Sequence, residues 1–212
     1  MGCCQCQGIE NIFDEKSARK ELKRYLKKGP TKTTGLLLNA IHKLGVNGLS
    51  FLDIGGGIGA IQYDLIKEGA SNGTSIEASS AYINVVKSKM NQTGLAKKVT
   101  FKLGDFTTIA TEEDAADIVT LDKVICCYDE MTQLVELSSK LARKIYAVIY
   151  PRDAWWTKLA RPILNLYPKL RGSPFRVFIH PTKNVEEIIF KHGFTKQYYA
   201  TTFVWQIAIF TK

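Results

Sequence analysis

The residues best suited to chemistry lie in Phe51-Leu52-Asp53-Ile54-Gly55-Gly56-Gly57-Ile58-Gly59-Ala60, an acid followed closely by glycines. Leu49, Phe51, Leu52 and Ile54 predict a buried strand, and Ile61, Leu65 and Ile66 predict a helix, so the glycines form the turn between them. Glycines there tolerate positive φ and let a ligand lie against the backbone. The helix start adds unpaired N–H groups and partial positive charge. Gly55-x-Gly57-x-x-Ala60 also fits a dinucleotide fingerprint. Asp53, at the strand's carboxyl end, would repel a pyrophosphate and is placed to hold an ammonium or to brace the turn.

Two further acids are expected at strand ends. Glu77 falls 18 residues beyond Gly59, where a carboxylate can accept from the hydroxyls of a ribose. Phe101-Lys102-Leu103-Gly104-Asp105-Phe106 ends another strand, with Asp105 able to accept from an adenine amine and Phe106 to lie against the ring. Each acid alone has a plainer alternative, the capping of the next helix. Taken in order, Asp-x-Gly-x-Gly-x-Gly, Glu77 and Gly-Asp-aromatic resemble class I S-adenosylmethionine (SAM) dependent methyltransferases. The resemblance covers residues 35 to 211, and it implies SAM as cofactor. On that reading Asp53, Gly55, Gly57, Gly59, Glu77, Ala78, Gly104, Asp105, Phe106 and Asp122 surround it, and no metal is involved.

The elements that must position these residues follow from periodicity. Helices are expected from Asp14 to Lys28 and after a cap at Thr33 or Thr34, so that 14–47 is helical. Strands near Gly73–Glu77, Val99–Leu103, Ile118–Val124 and Ile145–Tyr150 alternate with helices, which implies a parallel sheet with right-handed crossovers. After Pro151 an amphipathic helix, Trp155 to Leu170, reads as interrupted at Pro162 and Pro168. A helix from Thr182 to Lys191 and an antiparallel pair, Phe194–Tyr199 and Phe203–Phe210, follow. The expected fold is therefore α/β: a Rossmann-like, seven-stranded sheet with an antiparallel last strand, N-terminal helices and a helical lid after the fifth strand. The expectation is one domain over 1–212, with 1–13 a flexible tail and 152–180 the acceptor lid.

Composition narrows the class. At 212 residues and 45% hydrophobic content the chain can bury one core. No apolar run reaches the ~20 residues of a membrane span. The five cysteines, clustered at Cys3, Cys4, Cys6 and Cys126-Cys127, suit a reducing compartment, so a cytoplasmic protein is expected. The net charge of +9 fits an anionic partner or a basic solvated surface.

For the acceptor, the stretch Asp122 to Tyr128 sits at the switch region of the sheet. It is similar to magnesium-protoporphyrin IX O-methyltransferases, as are Phe13-Asp14 and the Arg/aromatic-rich segment after the fifth strand. That family has a histidine where Cys126 or Cys127 stands and a tyrosine where Ile12 falls, so the porphyrin is not carried over. Candidate catalytic residues are His180, as general base, with Tyr128 and Cys127. Candidate acceptor-binding residues are Trp155, Trp156, Arg161, Arg171 and Arg176, suited to a flat or anionic small molecule. The favoured chemistry is in-line O-methylation. Nucleic acid is a weaker partner, because no appended binding module and no Asn/Asp-Pro-Pro-aromatic signature is found. An RNA or protein methyltransferase and a non-catalytic SAM-binding regulator are the alternatives, and the sequence leaves the oligomeric state open.

Overall fold

The computed structural model describes residues 8–10 and 12–212. The expectations attached to Cys3, Cys4, Cys6 and the first seven residues lie outside them. The described part of the expected tail packs into the body. Ser173 Oγ donates to Gly8 O at 3.2 Å, Ser79 Oγ donates to Phe13 O at 2.8 Å, and Phe13 meets Phe175 edge-to-face.

Helix α1, Glu15–Lys28, starts on Asp14, whose Oδ1 accepts from Ser17 N at 2.8 Å. Helix α2, Lys32–His42, is capped by Thr31, whose Oγ1 accepts from Thr34 N at 3.3 Å. This corrects the expected cap at Thr33 or Thr34. Both of those are buried, because Thr34 shares the inward face with Leu37, Leu38 and Ile41.

The sheet then alternates with helices: β1 Ser50–Ile54, α3 Ala60–Lys67, β2 Asn72–Glu77, α4 Ser80–Gln92, β3 Val99–Leu103, α5 Phe106–Ile109, β4 Ala116–Asp122, α6 Met131–Leu141 and β5 Ala142–Pro151. Helix α7, Trp155–Leu170, and helix α8, Thr182–Lys191, precede β6, Thr195–Thr201, and β7, Trp205–Thr211. The strand order is β3-β2-β1-β4-β5-β7-β6, with β7 antiparallel to both β5 and β6. Period-two alternation divides the core between the two faces. Phe51, Ile118, Ala147 and Ile209 pack under α2, α3 and α4, while Leu52, Val119, Val148 and Phe210 pack under α6 and α8.

Two local features depart from expectation. Strand β4 stops at Asp122 because Lys123 takes φ +65, the one positive φ outside glycine among the described residues. Helix α7 runs unbroken through Pro162 and Pro168. The prolines withhold N–H groups from the carbonyls of Lys158 and Leu164, which lie on exposed residues where water can serve them.

Candidate active site

The chain reverses direction across the sheet between β1 and β4, and ligands bind outside the carboxyl ends at such a switch point. Register places Asp53 of β1 opposite Ser75 of β2 and Thr120 of β4. All three are buried, and α3 sends Gln62, also buried, into the same row. Gln62 Nε2 donates to Ser75 Oγ at 2.7 Å and to Asp53 Oδ2 at 3.1 Å; Thr120 Oγ1 donates to Asp53 Oδ1 at 2.6 Å. Burial pushes the Asp53 carboxyl up to about 7. The Thr120 and Gln62 bonds work against that shift, and the Asp122 and Glu77 charges add to it.

The glycines fit around this network. A Cβ on Gly56 would overlap Gln62 Nε2 and Ser75 Oγ, so the turn can close only without a side chain there. Gly59 caps α3 at φ +83, and a Cβ on it would lie 2.5 Å from Val86 Cγ2. Glu77 closes the turn from β2: Gly57 N donates to its Oε2 and Ser79 N to its Oε1, both at 2.9 Å. Removal from water raises its pKa, against those backbone donors.

Above the turn lies one cavity of about 450 Å³. Of the expected cofactor residues, Asp53, Gly55, Gly57, Glu77, Ala78, Gly104, Phe106 and Asp122 line it, and Gly59 and Asp105 do not. Asp105 caps α5 through Thr107 N at 3.0 Å, and the same Oδ1 accepts from Tyr128 Oη at 2.7 Å. Its neighbours Gly104 and Phe106 line the cavity. Asp122 is held on both oxygens. Thr34 Oγ1 donates to Oδ2 at 2.6 Å, and Lys123 Nζ stands 2.9 Å from Oδ1.

Apolar walls (Ile54, Ile58, Ile76, Phe106) beside four carboxylates (Glu21, Asp53, Glu77, Asp122) suit a ligand that joins a purine, hydroxyls and an ammonium. The donor set therefore fits SAM. Asp53, Glu77 and Asp122 would face its polar groups. Each carboxylate oxygen of Glu77 keeps a lone pair beyond its backbone bond.

The expected catalytic and acceptor residues divide. Cys127 and Tyr128 line the cavity. His180 does not: its Nε2 donates to Tyr128 O at 2.8 Å, and burial lowers its pKa, so the neutral ring clamps the chain. Trp155, Trp156, Arg161, Arg171 and Arg176 all lie outside the lining. Trp156 stacks on Phe203 and donates from Nε1 to Phe203 O at 3.1 Å, and Arg152 covers its other environment as a cation over the ring. Arg176 Nη1 donates to Ser173 O and Phe175 O. From the lid, Leu164, Phe175 and Val177 border the cavity instead, with Trp205 from β7. Asn165 ties that lid together, accepting from Val177 N at 2.7 Å and donating to Val177 O at 3.0 Å.

Sequence reasoning missed Gln62, Thr34, Arg24 and Lys123. Arg24 and Lys123 are the basic side chains of the lining. Only the polar Gln62, inside the apolar face of α3, carried a readable signal.

The fold and this site define a class I, SAM-dependent methyltransferase. A family model described as a methyltransferase domain matches residues 46–159, more than half of the chain, and the chain belongs to that family. No curated protein matches the sequence. Among solved structures, it is similar to magnesium protoporphyrin IX methyltransferase from Synechocystis PCC 6803 with bound SAH, at 17% identity and TM-score 0.68, over 85% of this chain and 81% of that one. It is also similar to an O-methyltransferase family protein from Burkholderia thailandensis, at 14% and 0.67, over 94% of this chain and 63% of that one. A third is an S-adenosylmethionine dependent methyltransferase from Mesorhizobium loti, at 11% and 0.65, over 82% and 96%. At these identities the likeness is one of fold. No helix among the described residues is long and apolar enough to cross a membrane.

Proposed function

We propose that the chain methylates a small, largely apolar acceptor at a carboxylate oxygen, with 152–180 as the lid of a single domain. One observation carries this reading: the glycine turn and the apolar lid residues Leu164, Phe175 and Val177 border the same cavity. SAM, when bound, supplies a methyl group on a sulfonium, so the protein's task is alignment and exclusion of water. Asp53 and Glu77 are suited to orient the cofactor, and Lys123 and Arg24 to attract an anionic acceptor. Cys126, Cys127 and Val124 supply apolar lining beside them.

The absence of His180 from the lining favours a carboxylate over a phenol or amine, because a carboxylate is already ionised at neutral pH and needs no base. Tyr128 serves to position the acceptor, its hydroxyl oriented by Asp105. The free thiol of buried Cys126 suits a reducing cytoplasm. The test is a transfer assay with methyl-labelled SAM against apolar carboxylic acids, phenols, amines and transfer RNA. Labelling of the acids supports the reading. Labelling of phenols, amines or RNA with none of the acids overturns it.

A further inference from the structure

Helix α7 presents its apolar stripe to solvent. At 100° per residue, Trp155, Leu159, Ile163, Leu166 and Leu170 fall within a sector of roughly 80°. These five side chains are exposed by 51 to 77%. The opposite face is the one that packs: Thr157 and Pro168 are buried, Asn165 binds Val177, and Leu164 borders the cavity. The stripe is extended by the tip of the β6–β7 hairpin, where exposed Phe203 stacks on Trp156. A contiguous apolar patch of this kind on a monomer marks a surface that meets something apolar.

The charge around the patch says what. The helix sequence WWTKLARPILNLYPKL contains no acidic residue; Lys158 and Lys169 lie along one margin of the stripe, and the following Arg171 lies beyond the other. Lys158 is paired with Asp153 at 2.6 Å; Lys169 and Arg171 have no ion pair among the described residues. Tryptophan at the helix start, aliphatic residues along the face and basic residues at its margins are the makeup of a helix that lies in a membrane interface. The chain's +9 charge has the matching sign for an anionic leaflet.

We propose that α7 docks this protein, without spanning, on the surface of a membrane rich in anionic lipid. Leu159, Ile163, Leu166 and Leu170 enter the acyl boundary, and Lys169 and Arg171 meet the headgroups. Leu164 links the two faces of the helix, so docking brings the cavity to about one helix diameter from lipid. The inference is independent of which acceptor is methylated.

The test is flotation of the full chain with vesicles of phosphatidylcholine alone and of an equimolar mixture with phosphatidylserine. The protein is expected to float with the mixed vesicles and to stay behind with the neutral ones. Emission from Trp155 should shift to the blue on binding, and Trp155→Phe should remove most of that shift. Leu159→Glu with Ile163→Glu should lower binding by about tenfold or more. SAH affinity and melting temperature should hold, since neither residue lines the cavity. Lys169→Glu with Arg171→Glu should weaken binding to mixed vesicles by about tenfold or more. Equal binding to neutral vesicles, or none to either, overturns the proposal. So does a stripe that instead drives self-association, seen as sedimentation that rises with protein concentration and is abolished by Leu159→Glu with Ile163→Glu.

Discussion

Around the glycine turn, Asp53, Gln62, Ser75 and Thr120 are buried and bonded to one another, whereas α7 buries only Thr157 and Pro168 and shows solvent its longest apolar stripe. Both regions border one cavity. The first has little room to adjust, since its groups are enclosed and bonded to one another, with Gln62 Oε1 buried but unpartnered. The second is held by a few bonds, chiefly those of Asn165, and has the low local packing typical of segments that move to admit ligands. Substitutions that change shape at the turn should therefore cost stability and cofactor together. Substitutions in the lid should change the acceptor side alone.

The largest expected effect is at Asp53. Its carboxyl is raised from 3.8 to about 7 in the folded protein. The native state therefore holds a proton that the unfolded state releases above its ordinary carboxylate range. The resulting contribution is complete below pH 3.8 and is lost as pH rises through 7. A shift of that size corresponds to a change on the order of 4 kcal/mol across the window. In chemical denaturation without cofactor, Asp53→Asn should flatten the fall in stability between pH 4 and pH 8, leaving the variant more stable than the native protein at the upper end. Identical slopes would show that the carboxyl is not enclosed as described.

Next comes Gly56→Ala. The new methyl overlaps Gln62 and Ser75, both buried, and the turn must open. Overpacking of this kind costs about 1–3 kcal/mol. Urea unfolding should register that loss, and calorimetry a fall in SAH affinity of roughly tenfold per 1.4 kcal/mol transmitted to the site. Full retention of both would mean that the turn is as adaptable as the lid.

A smaller and one-sided effect is expected from Asn165→Ala. It removes both bonds to Val177, each worth about 0.5–1.5 kcal/mol. The acceptor KM should rise about five- to tenfold, while SAH affinity stays within about twofold. A matched loss on both sides would make the lid part of the cofactor site.

The same contrast governs what could be read from the sequence. Asp53, the glycines, Glu77 and Gly104-Asp105-Phe106 are local signals, each set within a few residues of a strand end, and they fix the sheet order through the fold they imply. Gln62 and Thr34 act on Asp53 and Asp122 through register and through contacts 9 and 88 residues apart, which no local pattern carries. His180 had the right residue type for a base, and only its bond to Tyr128 O shows it spent on the backbone. In α7 the hydrophobic stripe was visible, but period 3.6 gives the width of a face without saying which way it points. A stripe is ordinarily assigned inward. Here Thr157, Asn165 and Pro168 take the inner side, so tryptophans and arginines read as acceptor contacts stand outside the cavity.

That reversal leads to the smallest expected effect, and to the sharpest test of where the acceptor's charge is read. Arg161 and Arg171 do not line the cavity; Arg171 lies over the Tyr167 ring, 5.3 Å from its centroid. Exposed substitutions away from caps and networks change stability by no more than about 0.5 kcal/mol. In an assay free of vesicles, Arg161→Glu with Arg171→Glu should leave the acceptor KM within about twofold. Arg24→Met is the paired comparison, because Arg24 reaches the cavity from α1 and a lost charged contact is worth about 1.5–3 kcal/mol. Its acceptor KM should rise at least about tenfold with kcat little changed, the pattern of a contact made equally in the ground and transition states. If charge reversal on α7 raises KM and Arg24→Met does not, the acceptor is read from the outer face of the lid, and the division between an enclosed cofactor side and an outward-facing helix fails at its most specific point.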